Sequence, residues 1–388
     1  MRLAVWMPFQ QAVNFLSEML SVQVSKAQVV RQTEAAGAAY VSVQNEQADR
    51  IEREAPQALP GSDKLVMSAD GAMVPLRKGE WAEVKTLAIG EVQPAVKKQE
   101  QWVVRTRCIS YFSRLVNAEQ FEHLSLVEMH RRGIEKSRQV AAVMDGADWL
   151  QSFVTYHRPD AVRILDFAHA GQRIGQVGQA LFGEGKPEAN QWSSQRLHQL
   201  KHEGPREILV ELRQLQQQHP QMEILAENLA YLEKREMQMQ YPSFQEQGWP
   251  IGSGMVESGN KLVVEARLKG AGMHWERGNV NSMLGLRNIV CSDRWIDEWP
   301  LIVQQLRRQA GERRNSNREK RRLARIPEPS DIREAPLMEE IVEPPMILPK
   351  EKAEKPEKSG PRKPAANHPW RNSPIGRALY APSKSARN

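Results

Sequence analysis

The spacing of apolar residues predicts two helices at the start of the chain. Phe9–Leu20 carries apolar residues at helical spacing, and Ser25 precedes a second amphipathic run over 26–36 that Gly37 is expected to end. This spacing matches a helix-turn-helix, but most helical hairpins bind no DNA, so packing and DNA recognition both stay open. For DNA recognition, the second helix would present Lys26, Gln28, Arg31 and Gln32.

Short apolar runs replace the helical spacing between residues 64 and 166. Three of these runs follow one another directly, and two more are each preceded by a helix. This order predicts a mixed α/β sheet that starts with antiparallel strands and continues with parallel ones. The predicted strands are 65–70, 81–90, 105–112, 140–145 and 161–166, and the helices between them are 117–136 and 149–156.

The stretch after the last strand is helical again. Residues 170–247 are polar, rich in Gln, Glu and Leu, and hold no further strand pattern, which predicts a helical insertion. A glycine-rich loop then leads into a helix over 253–269, followed by helices over 279–292 and 295–310. The expected organisation is a helix-turn-helix-like segment at 1–60, an α/β core split into 61–170 and 249–310 by an insertion at 171–248, and a tail at 311–388.

The tail is expected to be basic and then disordered. Residues 311–325 hold seven Lys and Arg residues, and the chain from Ile326 onward holds twelve of the 24 prolines. Such a composition cannot bury a core. The basic run is interpreted either as a solvated segment or as a contact for nucleic acid.

Composition narrows the class of protein. The chain has 388 residues with a net charge of +7, which is compatible with a polyanionic partner. No apolar run approaches the ~18–20 residues of a membrane span, and the N-terminus lacks the pattern of a secretory signal. Cys108 and Cys291 are too few for a disulfide framework or a zinc site, so a reducing cytoplasm is expected.

Three aspartates follow the apolar runs of predicted strands: Asp70, Asp145 and Asp166. Because the carboxyl ends of parallel strands share one edge of a sheet, these side chains are expected to lie together there. A single aspartate in this position is usually a turn cap. Several of them, together with Glu257 at the start of a later helix, favour a carboxylate cluster. Clustered carboxylates repel one another unless a cation neutralises them, and an oxygen-only set suits Mg²⁺ or Mn²⁺. Asp148 competes with Asp145, which is preferred because it directly ends its apolar run.

The helix of Glu257 has two predicted faces. Met255, Leu262 and Ala266 would be buried, while the opposite face would hold Glu257, Asn260, Lys261 and Arg267. Taken alone, this pattern is typical of an amphipathic helix with a solvated charged face. With the aspartates, it predicts a site in which two metal ions support phosphoryl transfer, while Lys261, Arg267 and Lys269 hold DNA phosphates.

Three sequence blocks resemble the catalytic blocks of DDE transposases, which have an RNase H-like fold. They are Asp70-Gly, Asp145-Gly-Ala-Asp-Trp149 and Gly252-Ser-Gly-Met-Val-Glu257-Ser. The continuation Arg267-Leu-Lys-Gly-Ala-Gly-Met-His-Trp275, then Leu284-Gly-Leu-Arg287, is similar to that of bacterial ISKra-type insertion-sequence transposases, relatives of the Mutator-like group. Asp166-Phe-Ala-His169 is similar to the Asp/Cys-x-x-His motif of that group. The resemblance covers residues 6–310 and His368-Pro-Trp370.

The resemblance implies a transposase that cleaves element ends and joins them to target DNA. Asp70, Asp145 and Glu257 would bind two Mg²⁺ or Mn²⁺ ions, with Asp166 and His169 as supporting groups, although His169 could equally be a structural histidine. The implied partners are double-stranded DNA, as terminal repeats and target, and further copies of the chain in a dimer or larger complex. The implied location is the bacterial cytoplasm, at the nucleoid and without a membrane. Trp275 and Arg287 would join the predicted DNA contacts.

The chain departs from the family pattern at its start. Members usually carry more sequence, often cysteine-rich, before the block Trp6-Met-Pro-Phe-Gln-Gln11, so a truncated copy or a short member is expected. Two other functions stay open. One is an RNase H-like nuclease that hydrolyses DNA without joining it, and the other is a DNA-binding remnant without catalysis.

Overall fold

The computed structural model describes residues 1–98 and 101–323, so the predicted proline-rich tail lies outside the described residues. The described chain forms one mixed five-stranded sheet with helices on both faces, together with a two-stranded hairpin. The strands are β1 Lys64–Pro75, β2 Trp81–Val92, β3 Val96–Lys98, β4 Gln101–Val103, β5 Thr106–Arg114, β6 Gln139–Met144 and β7 Val162–Leu165.

The sheet has the strand order β5-β2-β1-β6-β7, and β3 pairs with β4 in the separate hairpin. β1 and β2 are antiparallel, as are β2 and β5, whereas β6 runs parallel to both β1 and β7. The mixed sheet predicted from the order of apolar runs is therefore confirmed. Helices lie between the parallel strands along the chain, because parallel neighbours need a crossover connection.

The first strand is longer than the apolar run predicted. β1 continues to Pro75, so Asp70 lies inside the strand, opposite Thr86 of β2, and the prediction that it ends a strand is wrong. Alternate residues explain the extension, since Ala72 and Val74 stay buried beyond the aspartate. A single polar residue thus interrupts the apolar pattern without ending the strand.

Fourteen α-helices cover most of the other described residues. Within the described residues, the insertion after β7 contains helices and no strand. No described helix is both long enough and apolar enough to cross a membrane. The helices are α1 Arg2–Trp6, α2 Phe9–Leu20, α3 Lys26–Glu54, α4 Ala118–Arg131, α5 Asp148–His157, α6 Phe167–Phe182, α7 Pro187–His202, α8 Arg206–Gln218, α9 Glu223–Glu233, α10 Tyr241–Glu246, α11 Gly254–Gly259, α12 Ala266–Leu268, α13 Arg277–Cys291 and α14 Trp295–Leu323.

The second predicted helix begins as expected but does not end at Gly37. Ser25 caps α3 by accepting a hydrogen bond from the Gln28 amide at 3.1 Å, and the helix then runs for 29 residues. Gly37 lies against α13, where an added Cβ would stand 2.0 Å from the carbonyl oxygen of Ser282. This glycine therefore allows two helices to approach closely, and α3 is packed onto the rest of the fold.

The last helix is longer than predicted. α14 continues to Leu323, so residues 311–323 of the basic run extend the helix that was predicted to end at about Ala310. The segment is rich in Arg, Glu and Lys, which favour helices. The pair Arg308 and Glu312, one turn apart, also supports it.

The two faces of the sheet carry separate cores. Val66, Ala141 and Ile164 pack with α6 and the insertion on one face, while Leu65 and Ala142 pack with α4 and α5 on the other. Further along β1, Val74 packs with Val263 and Val264 on the first of these faces. The helical segment over 254–268 is thereby held across the sheet beside α6.

Candidate active site

The parallel register places three aspartates in one row across the sheet. Met67 of β1 and Ala142 of β6 form the last pair between these strands, and Asp70 and Asp145 each lie three residues beyond it. Met144 of β6 and Leu165 of β7 are also paired, and Asp145 and Asp166 are the residues that follow them. Asp145 and Asp166 therefore lie at the carboxyl ends of their strands, and Asp145 is near enough to Asp70 for its charge to act on the Asp70 carboxyl.

Asp70 is half-buried at one end of this row, on the central strand of the sheet. Its carboxylate accepts hydrogen bonds from the Gly71 amide at 2.7 Å and from the Asn260 side-chain amide at 2.9 Å. Burial raises the pKa of the Asp70 carboxyl, the Gly71 amide opposes the rise, and the nearby Asp145 charge adds to it. The Asp70 carboxylate is therefore in surroundings where an additional cation would stabilise it.

Asp145 lies in a turn that the helical insertion holds in place. Its carboxylate accepts a hydrogen bond from the Ala147 amide. The hydroxyl of Tyr231 accepts one from the Gly146 amide at 3.0 Å, and the buried guanidinium of Arg235 donates to the Gly146 carbonyl. Tyr231 and Arg235 belong to the insertion, so this segment, far away in sequence, sets the position of the second aspartate.

Asp148 lies outside the row. Its side chain is 79 % exposed and forms a 2.8 Å ion pair with Lys234. The hydrogen bond and charge of Lys234 lower the pKa of the Asp148 carboxyl. Asp145, by contrast, is close enough to Asp70 for its charge to act on the Asp70 carboxyl. The geometry therefore favours Asp145 over Asp148 as the partner of Asp70.

Asp166 joins two helices at the end of the row. It is buried, it caps α6 by accepting hydrogen bonds from the Ala168 and His169 amides, and its other oxygen accepts one from the Ser253 amide. His169 is half-buried on the first turn of α6, and its electrostatic effect reaches Asp70. Asp166 thus fixes the start of the Glu257 helix rather than offering free oxygens.

Glu257 is in the first turn of α11, as predicted, but its side chain is exposed. Its carboxylate accepts a 3.4 Å hydrogen bond from the Ser253 hydroxyl. Across the described ranges, no three His, Cys, Asp or Glu side chains are grouped so that they could hold a metal ion. The carboxylates of Asp70, Asp145 and Glu257 do not form a ready ligand set in this conformation.

Asn260 makes the contact that sequence reasoning missed. It is 6 % exposed, donates to Asp70 through Nδ2, and leaves its Oδ1 buried without a hydrogen-bond partner among the residues described. The helical periodicity predicts Asn260 on the face of Glu257 and indicates no role for it. The signal was the spacing of three residues from Glu257, which puts both side chains on one side of a helix.

A π-helical segment alters the predicted faces of this helix. Asn260–Glu265 forms a π-helix between α11 and α12, which adds a residue to the turn and rotates the residues that follow. Leu262 is consequently 39 % exposed and Ala266 is exposed, so their predicted burial is wrong. Arg267 is buried at 2 % exposure, so its predicted place on the polar face is wrong as well.

Three predicted DNA contacts are occupied inside the fold. Arg267 donates to the Ala4 carbonyl at 3.0 Å, and the buried Trp275 indole donates to the Leu268 carbonyl at 3.2 Å. The Arg287 guanidinium donates to the Val263 and Val5 carbonyls at 3.2 and 3.1 Å and stacks on Trp6. These groups tie the N-terminal helices to α12 and α13, which corrects the expectation of freely exposed phosphate contacts at Arg267, Trp275 and Arg287.

The other predicted DNA contacts lie at the surface. Lys261 and Lys269 are exposed, and Lys269 forms a 2.8 Å ion pair with Glu265. At the N-terminal end of α3, Lys26, Arg31 and Gln32 are exposed and Gln28 is half-buried. These side chains are accessible to a polyanion, and their role in DNA binding stays a prediction.

Comparison with known proteins gives a family but no activity. Residues 3–294 match the model of a family described as an uncharacterised protein family, UPF0236. No match was found among curated proteins. The matched range extends from the N-terminal helices to the end of α13 and therefore includes the whole candidate site.

Proposed function

Since the chain belongs to the uncharacterised protein family UPF0236, we propose its activity from its own residues: metal-dependent phosphoryl transfer on DNA, as a DDE transposase with an RNase H-like core. The observation that carries the proposal is the proximity of Asp70 and Asp145 beyond the paired ends of β1 and β6, with the Glu257 helix lying across Asp70 through Asn260. Carboxylates from a central strand, its parallel neighbour and a later helix are what the resemblance to these transposases implies.

The chemistry of these residues fits a hard divalent cation such as Mg²⁺ or Mn²⁺. The side chains offer oxygen atoms alone, which such ions prefer. The Oδ1 atom of Asn260 is buried and lacks a partner among the residues described, and burial raises the pKa of the Asp70 carboxyl. A bound cation would give the Asn260 oxygen a partner and would stabilise the ionised Asp70 carboxyl. Asp70 and Asp145 would hold the ions, with Glu257 as the third carboxylate.

Glu257 would have to change its side-chain position to join the aspartates. Its present hydrogen bond from Ser253 is long, at 3.4 Å, and its side chain is exposed, so little opposes a rotation. The helix axis is already held near Asp70 by Asn260 and near Asp166 by Ser253. The rotation would therefore move one side chain and leave the helix in place.

Two divalent ions, when bound, activate an attacking oxygen and stabilise the leaving oxygen of an in-line displacement. The residues of this chain would contribute position and charge. The Gly71 amide and Asn260 orient the Asp70 carboxylate, and the Gly146 turn orients Asp145. Lys261 and Lys269, both exposed near the Glu257 helix, would bind backbone phosphates of the DNA.

The test uses DNA that carries the chromosomal flanks of the chain's own gene, where the proposal places the element ends. With Mg²⁺ and a labelled 3′-hydroxyl end, the parent should release cleaved ends and join them to a second DNA. Asp70→Asn and Glu257→Gln should each lower cleavage at least about a thousandfold, a loss that matches the transition-state stabilisation provided by metal sites. Both variants should keep the DNA affinity of the parent.

Other outcomes reject parts of the proposal. Cleavage without joined products would reject transposition and leave a hydrolytic nuclease. Unchanged cleavage in both variants would reject the carboxylate site. DNA affinity that does not fall with rising salt would reject phosphate contacts, since each such contact releases counterions.

A further inference from the structure

A pocket of about 520 Å³ lies between the N-terminal helices and the loop that contains Gly272-Met-His-Trp275. Its walls come from the start of α2, from α3, from Arg77 in the turn after β1, and from this loop. Backbone hydrogen bonds fix the loop to the turn, since Arg77 donates to the Trp275 carbonyl at 3.0 Å and Trp275 donates to the Pro75 carbonyl at 3.2 Å. The pocket is therefore built from well-connected segments, and the proposed phosphoryl transfer makes no use of it.

The floor of the pocket contains an unsatisfied cation. The Arg267 guanidinium lies 4.7 Å from the centre of the Phe9 ring and 5.1 Å from that of Trp275. Arg267 is 2 % exposed, and its Nη2 atom has no hydrogen-bond partner within the described part of the chain. A buried guanidinium with an unused donor is costly, so a ligand with an acceptor oxygen would be stabilised here.

The rim combines cations with hydrogen-bonding groups. Lys26 and His274 are exposed at the pocket, and Arg77 is exposed beside them, 3.5 Å from Glu276. The Asn279 amide, also in the pocket wall, donates to the Glu34 carboxylate at 2.8 Å. A phosphate alone would contact the cations but not the aromatic rings, whereas a nucleotide has a base for the rings and a phosphate for the cations.

We propose that this pocket binds one unpaired nucleotide of a DNA strand, with its phosphate toward Lys26 and Arg77 and its base against Phe9 and the edge of Trp275. The choice of DNA as ligand rests on the proposed function. In this arrangement Lys26, the first residue of α3, would contact DNA without the helix entering a groove. The pocket assigns a role to the loop sequence that most closely matches the transposases.

The test measures DNA affinity by fluorescence anisotropy in EDTA, where no metal-dependent cleavage takes place. The probes are a blunt duplex, the same duplex with a short unpaired 3′ extension, and a single strand of thymidylates. The parent should bind the extended duplex about tenfold or more tightly than the blunt one, the range expected for stacking one base on an aromatic side chain. The single strand should compete with the extended duplex.

Matched variants locate the effect. Lys26→Ala, Arg77→Ala and His274→Ala combined should abolish the preference for the extended duplex, since all three side chains line the pocket. Lys78→Ala, at an exposed cation in the same turn that does not line the pocket, should retain it. Phe9→Leu removes a ring and keeps apolar volume, so it should reduce the preference in a protein whose circular dichroism is unchanged.

Equal affinity for the blunt and extended duplexes would overturn the proposal, and so would a preference that survives the triple rim variant. The result is separable from the proposed catalysis. If the parent prefers the extended duplex but cleaves no DNA, the nucleotide pocket stands and the transposase activity is rejected. If the parent cleaves DNA without this preference, the transposase activity stands and the nucleotide pocket is rejected.

Discussion

Asn260→Asp is the most informative single change in the candidate site. It replaces the amide that donates to Asp70 at 2.9 Å with a carboxylate of almost the same shape. The variant therefore places a second negative charge directly against a half-buried carboxylate that already has the Asp145 charge nearby. Because the Asn260 side chain faces Asp70, the variant should lose stability without metal and regain it with metal.

The size of the effect follows from the contact distance. Two unit charges about 4 Å apart repel by about 4 kcal/mol at an effective dielectric constant of about 20. Asp70 is only half-buried, and one of the two carboxyls can take up a proton, so this value is an upper bound. A loss of about 1 kcal/mol lowers Tm by about 2–4 °C in a domain of roughly 150–250 residues, so a fall of several degrees is expected in EDTA.

Thermal unfolding with and without Mg²⁺ measures both parts of the prediction. In saturating Mg²⁺ the extra carboxylate becomes a potential ligand, and binding to the folded state alone adds about 2.7 kcal/mol at a ligand concentration of about 100 Kd. The Mg²⁺-induced rise in Tm should therefore be larger for Asn260→Asp than for the parent. Asn279→Asp is the matched control, because Asn279 donates to the Glu34 carboxylate at a similar distance, 2.8 Å, outside the candidate metal site.

The control should lose stability in EDTA and recover little in Mg²⁺. Two results would contradict this prediction. One is a parent-like Tm for Asn260→Asp in EDTA, which would mean that Asn260 does not face Asp70. The other is an equal Mg²⁺ response in the two variants, which would mean that Asp70 and its neighbours offer no special place for a cation.

Two further predictions concern stability. Because burial raises the pKa of the Asp70 carboxyl, its ionised form is less favourable in the folded chain than in the unfolded chain, so Asp70→Asn should raise Tm in EDTA at neutral pH. That gain should shrink as the pH falls and Asp70 in the parent becomes protonated, and a gain independent of pH in thermal scans would contradict it. Gly37→Ala should lower the free energy of unfolding by about 1–3 kcal/mol in urea titrations, because its Cβ would stand 2.0 Å from the Ser282 carbonyl oxygen. Gly175→Ala, in α6 with no atom within 4 Å of an added Cβ, should instead stabilise by about 0.5–1 kcal/mol, and equal effects of the two substitutions would contradict the packing of α3 on α13.

The sheet and most helices could be predicted because their signals are local. The order of apolar runs and helices determines which strands need a crossover, and hence the antiparallel start and the parallel continuation of the sheet. The same local rule misplaced Asp70, because one polar residue among buried neighbours resembles the end of a strand. The pairing with β2, which runs past Asp70 and Thr86 to Pro75 and Trp81, shows that the strand continues.

The parts that could not be predicted depend on contacts between distant segments. The π-helix at Asn260–Glu265 exposes Leu262 and buries Arg267, and a periodicity of 3.6 residues cannot anticipate that change. Gly37 resembles a helix stop until the approach of α13 explains it. The hydrogen bond that the Gly146 amide donates to the Tyr231 hydroxyl likewise joins residues 85 positions apart.

Anomalous diffraction from crystals of the chain with DNA and Mn²⁺ would locate the proposed metal ions directly. We expect two Mn²⁺ peaks beside the row of Asp70 and Asp145, with the Glu257 carboxylate turned away from Ser253 and bound to the metal. Peaks that are absent from this row while DNA is bound, or a Glu257 carboxylate that stays on Ser253, would contradict the proposed metal site.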